Sequence, residues 1–107
     1  MNEGYVKVAR LVDLIEGRGK KVVVEDEEIA LWRVNGRVHA ICNVCAHQHI
    51  SALHQATLDG LFVTCPMHGW TYSLETGEAV TGQGRVRRFD VVIQGGDVYI
   101  ENPGAVR

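Results

Sequence analysis

The chain has 107 residues, 46% hydrophobic and 22% charged, with 11 basic and 13 acidic side chains and a formal charge of −2. That length suits one domain. The charge balance gives no electrostatic case for binding nucleic-acid backbones, and no apolar run approaches the roughly 20 residues of a spanning helix, so no membrane segment is expected.

Twelve glycines against two prolines suit short strands joined by tight turns, so the expected class is all-β, with residues 1–107 as a single domain. The polar, acidic start Met1-Asn2-Glu3-Gly4 lacks the basic-then-apolar order of a secretory leader, and a cytoplasmic location is expected. Residues 5–9 read as a strand. Residues 11–15 form one helical turn that breaks at Glu16-Gly17-Arg18-Gly19. A strand over 20–25 then reaches the acidic cluster Glu25-Asp26-Glu27-Glu28, the polar tip of a hairpin returning along 29–34. Asn35-Gly36 suits the two positive φ angles of a type I′ turn and folds 37–41 back.

Beyond that strand the texture changes. Cys42-Asn43-Val44-Cys45-Ala46-His47-Gln48-His49 has neither helical nor strand period, and it concentrates metal-capable side chains in what reads as a functional loop. Residues 58–64 turn at Asp59-Gly60 and lead to a second loop of like chemistry, Cys65-Pro66-Met67-His68-Gly69-Trp70. Strand character returns over 71–74. A turn at Glu75-Thr76-Gly77-Glu78 follows, then one strand over 86–93 and another over 98–101 around Gly95-Gly96. Arg85, Arg87 and Arg88 alternate into that long strand, which places at least two of them on a wet face.

The three cysteines are an odd number, which argues for metal rather than a disulfide framework. Cys45-Ala46-His47 and Cys65-Pro66-Met67-His68 are separated by 17 residues, so each loop offers one thiol and one imidazole. Zinc fingers order two cysteines before two histidines and usually carry the histidine pair on a helix, neither of which holds here. A binuclear iron–sulfur cluster asks for two thiolates on one iron and accepts two imidazoles on the other, which these pairs supply. A zinc-bound interaction module remains the alternative use of the same four side chains.

With that motif, and with Thr57-Leu58-Asp59-Gly60-Leu61-Phe62-Val63-Thr64 before Cys65 and Leu74-Glu75-Thr76-Gly77-Glu78-Ala79 after the second loop, the chain resembles the Rieske [2Fe–2S] proteins, and among them the small soluble Rieske-type ferredoxins. The resemblance implies an antiparallel β-sandwich base carrying a small cluster-binding subdomain of two loops, about residues 43–54 and 65–72. It implies one [2Fe–2S] cluster per chain, with Cys45 and Cys65 on the inner iron, His47 and His68 on the outer one, and Pro66, Gly69, Trp70 and Tyr72 around them. By the same resemblance the chain is a one-electron carrier, not an enzyme, taking electrons from a flavin-dependent reductase to a terminal oxygenase such as an aromatic-ring hydroxylating dioxygenase. The small subunits of assimilatory nitrite reductases share the fold and supply a second reading. High-potential relatives carry an extra cysteine in each loop and a serine after the His-Gly pair. This chain has Met67, His49 or Ile50, and Trp70 there, so its potential is expected toward the low end of the roughly −150 to +300 mV Rieske range, with Tyr72 as a remaining donor. Cys42 lies outside the paired spacing and reads as a packing residue.

Overall fold

A computed structural model describes residues 4–44, 52–66, 69–81 and 84–102. In these the β-branched runs between turn residues form eleven short strands in three antiparallel sheets. The first sheet orders β1 (Tyr5–Arg10), β11 (Asp97–Glu101) and β10 (Val91–Gln94). The second orders β2 (Gly19–Val24), β3 (Glu27–Val34), β4 (Arg37–Cys42) and β9 (Arg88–Phe89). The third orders β5 (Thr57–Asp59), β6 (Phe62–Thr64), β7 (Thr71–Ser73) and β8 (Ala79–Thr81). Single 3-10 turns cover Leu11–Asp13 and Leu53–Gln55.

Strand β3 explains the layering. Side chains alternate across a pleated strand, and Ile29, Ala30, Leu31 and Trp32 are all buried, so both faces of the second sheet are covered. Ile29 and Leu31 join Ala40, Phe89, Val98 and Ile100 in a core shared with the first sheet. Ala30, Trp32 and Val34 join Ile41, Leu53, Val63, Tyr72 and Leu74 in a core shared with the third. The two outer layers thus pack on opposite faces of one central sheet, and the core under the loop-bearing layer is separate from the one under the first sheet.

The hairpin at Asn35-Gly36 forms as expected: both residues have positive φ, 54° and 78°, and Val34 pairs with Arg37. The acidic tip is narrower than expected. Only Glu25 and Asp26 make the turn, with φ of 49° and 69°, while Glu27 and Glu28 already pair with Val24 and Val23. The single strand expected over 86–93 is corrected to two. β9 pairs with β4 in the central sheet, and after Asp90 the chain crosses to the first sheet as β10. Asp90 fixes that crossing: its N–H donates to Glu101 Oε1 at 2.8 Å, and its carbonyl accepts from Glu101 N–H at 3.0 Å. Strand β8 and the turn at Leu53–Gln55 complete the loop-bearing layer without having been legible as elements.

Candidate metal centre

The second loop is the turn of a hairpin. β6 and β7 pair from Phe62↔Ser73 to Thr64↔Thr71, so the chain between Thr64 and Thr71 reverses at the open end of that ladder. Cys65 N–H donates to Trp70 O at 2.8 Å, and Gly69 N–H donates back to Cys65 O at 3.0 Å. Gly69 holds φ +82°, where a side chain would be strained. The hydroxyls of Thr64 and Thr71 meet at 2.8 Å across the mouth of the loop. Cys65 is buried, 1% exposed, beside the second core, against which the half-buried Trp70 packs. Tyr72 is fully buried opposite Val63. Pro66 and Gly69 are exposed.

The first loop leaves the central sheet where β4 ends. Cys42 N–H donates to Arg87 O at 2.8 Å, and Asn43 N–H donates to Glu28 O at 2.9 Å. The chain returns at Ala52 and Leu53, whose N–H groups donate to Asn43 O at 3.2 and 3.1 Å. Ala52 and Leu53 are buried in the same core as Cys65, with Cys42, Trp70 and Leu58 packed around it. Both loop bases therefore stand on one apolar floor. Gly19 of β2 runs beneath the returning chain so closely that a Cβ there would lie 2.5 Å from His54 O and 2.7 Å from the Trp32 ring.

Of the four expected ligands, Cys65 is described and lies at this junction, whereas Cys45, His47 and His68 lie outside the described residues, as do His49 and Met67. Cys42 has the packing role expected of it and touches both cores. Burial pushes its thiol above the ordinary cysteine value. The Val44 N–H opposes that shift, and the carboxylates of Glu27, 3.9 Å from the sulfur, and Glu28 add to it. Burial lowers the His54 imidazole below its ordinary range, helped by Lys21 and opposed by Glu28. Two features escaped the sequence reading. Asn43 acts through partners 15 and 11 residues away, and Thr64 and Thr71 meet across a hairpin seven residues apart; no local pattern marks either.

The donor set fits a mixed thiolate–imidazole iron–sulfur group. The soft Cys65 sulfur is buried in one apolar cluster with Leu53 and Tyr72, with Trp70 packed against it, dry surroundings of the kind that shield such a cluster from solvent. A family model for the Rieske [2Fe-2S] domain matches residues 4–92, and the chain belongs to that family. The ferredoxin component of the naphthalene 1,2-dioxygenase system of Pseudomonas aeruginosa is 29% identical over 103 residues, 94% of this chain and 98% of its own. The fold is like that of the ferredoxin in a solved complex of reduced oxygenase and oxidized ferredoxin in carbazole 1,9a-dioxygenase. There the TM-score is 0.84 at 28% identity, covering 94% of this chain and 95% of that one. A nitrite reductase small subunit from Mycobacterium tuberculosis matches at TM-score 0.84 and 21% identity over 90% of this chain and 92% of its own, a likeness of fold alone. Among the described residues, no helix is long and apolar enough to cross a membrane.

Proposed function

We propose that this chain is the ferredoxin component of a multicomponent oxygenase, a single cytoplasmic domain that receives electrons from a flavin-dependent reductase and delivers them to a terminal oxygenase acting on aromatic rings. One [2Fe–2S] cluster is held by Cys45 and Cys65 on one iron and by His47 and His68 on the other. When bound, that cluster supplies reversible one-electron chemistry with no open coordination position, so the chain carries charge and transforms no substrate. The observation that carries the reading is the meeting of both loop bases, Ala52-Leu53 from one and Cys65 with Trp70 from the other, on a common buried floor.

The residues around that floor have definable tasks. The hydrogen bonds between Cys65 and Trp70 and between Gly69 and Cys65 set the loop backbone from which the thiolate is offered. Leu53, Trp70 and Tyr72 keep water from the buried side. The test is iron and sulfide analysis with low-temperature EPR of the reduced protein, followed by transfer from a reductase to an oxygenase of this class. The reading requires two irons, a rhombic signal of the mixed Cys/His type, and loss of both in Cys45→Ala and His68→Ala. One zinc and no signal would leave an interaction module instead, and a tight complex with a nitrite reductase without turnover of an oxygenase would move the chain to that system.

A further inference from the structure

Asn43 is a polar side chain with no exposed surface, and it stands where the first loop leaves the central sheet. Its backbone bonds to Glu28, Ala52 and Leu53 are matched by its side chain. Oδ1 accepts from the backbone N–H of His54 and from His54 Nδ1 at 3.1 Å, and Nδ2 donates to Glu28 Oε1 at 3.3 Å. The Glu28 carboxylate can only accept, so it fixes the amide with nitrogen toward β3 and oxygen toward His54. His54 must then carry its proton on Nδ1. A buried amide is costly unless its donors and acceptors are used. Here they are used to join β3, the departing chain at 43 and the returning chain at 52–54.

We infer that Asn43 is a positioning residue for the first ligand pair, clasping both ends of the segment that carries Cys45 and His47 to β3 and so setting where those side chains meet the second loop. The inference rests on Cys45 and His47 being ligands. Cys45 follows Asn43 by two residues and cannot lie more than about 7 Å from it along the chain, so few torsions stand between a displacement at Asn43 and the thiolate. Supporting groups of this kind typically change metal retention by about 10- to 100-fold when removed.

The test uses the cluster-loaded full chain and reads three quantities: the rate of iron loss to a ferrous chelator after reduction, the EPR g-values, and the midpoint potential. Asn43→Ala should speed iron loss at least about tenfold and shift the g-values. Val98→Ala, a fully buried residue of the other core, lowers stability while leaving all three readouts at the wild-type values. A polarity swap guards against an Asn43→Ala chain that fails to fold. Asn43→Asp keeps the acceptor toward His54 but sets two carboxylates against each other, and it should behave as the alanine variant does. Glu28→Gln alone should be near wild type. The double variant Asn43→Asp/Glu28→Gln restores a donor facing an acceptor and should recover the wild-type spectrum and rate. The clasp is overturned if Asn43→Ala loses iron no faster than Val98→Ala, or if the double variant shows no recovery over Asn43→Asp. Cys45→Ala separates this from failure of the ligand reading: a Cys45→Ala chain that keeps two irons refutes the ligands, whereas one that loses them while Asn43→Ala is silent refutes the clasp alone.

Discussion

Replacing Gly19 by alanine tests whether the central sheet supports the first loop by direct contact. In a strand with open space on that side, alanine stabilises by about 0.4–1 kcal/mol because the unfolded chain loses freedom. At Gly19 the added carbon would meet His54 O at 2.5 Å and Trp32 Cζ2 and Cε2 at 2.7 and 2.8 Å. Ordinary contact begins at 3.4 Å, and the obstacles are a backbone carbonyl and the ring of a residue only 2% exposed. Neither can swing away, so β2 or the turn at Leu53–Gln55 must move. Overpacking of this kind costs about 1–3 kcal/mol, which for a chain of this size lowers the melting midpoint by about 4–8 °C per kcal/mol. Circular dichroism melts of the cluster-loaded protein at two scan rates are the assay. The visible spectrum should bleach before the far-ultraviolet signal falls, because the strained contact is at the returning end of the first loop. A Gly19→Ala protein that melts at or above the wild-type midpoint would refute the contact, since the sign of the effect then follows chain entropy and not packing.

Two further perturbations act on neighbouring features. Thr64→Val removes one hydroxyl of the 2.8 Å pair across the second loop while keeping its shape; a net loss of about 1 kcal/mol is expected, read by urea unfolding, and Thr64→Val/Thr71→Val should cost less than twice that because the orphaned partner is gone. The imidazole of His39 is held below its ordinary range by burial, with Glu75 opposing the shift and Arg37 and Arg88 adding to it. The unfolded chain therefore binds the proton more readily, so this contribution is complete above about pH 6.5 and is lost as pH falls through the lower folded value. Melting midpoints between pH 7.5 and 5.0 should fall more steeply in wild type than in His39→Gln; parallel curves would deny His39 that role.

What the sequence made legible follows the range of the interactions involved. Asn35-Gly36 and Gly95-Gly96 each set a hairpin through their own φ angles, and both were readable. The break at Asp90 was not. Residues on either side include β-prone apolar side chains with no turn signal between them, and the switch depends on Glu101, eleven residues away. Strand β8 offers only Ala79 and Val80 as apolar residues and exists because Tyr72 and Thr71 pair with it. At the site, the two loops of metal-capable side chains were legible because cysteine and histidine are rare and stand close together within each loop. The supports were not, because Asn43 draws its meaning from Glu28 and His54, and Thr64 from Thr71. Pairs of metal-capable side chains can be read locally, whereas the contacts that hold the bases of their loops join separate segments.

The two cores on opposite faces of the central sheet lead to a separation that can be tested with one pair of equal substitutions. Val63 and Val98 are both fully buried. Val63 lies beside Cys65 and Tyr72 in the core under the loops, and Val98 lies with Ile29, Leu31 and Phe89 on the far side. Trimming either to alanine removes about 1.6 kcal/mol of transfer energy plus a cavity term, so their effects on global unfolding should agree within about 1 kcal/mol. Their effects on the cluster should not agree. A cavity at Val63 loosens the floor shared by Ala52, Leu53 and Cys65, whereas β3 and β4 stand between a cavity at Val98 and both loops. Val63→Ala should therefore release iron to a chelator several-fold faster than Val98→Ala at matched distance below each melting midpoint. Equal release would mean that the central sheet transmits strain rather than partitioning it, and that cluster retention follows whole-chain stability alone.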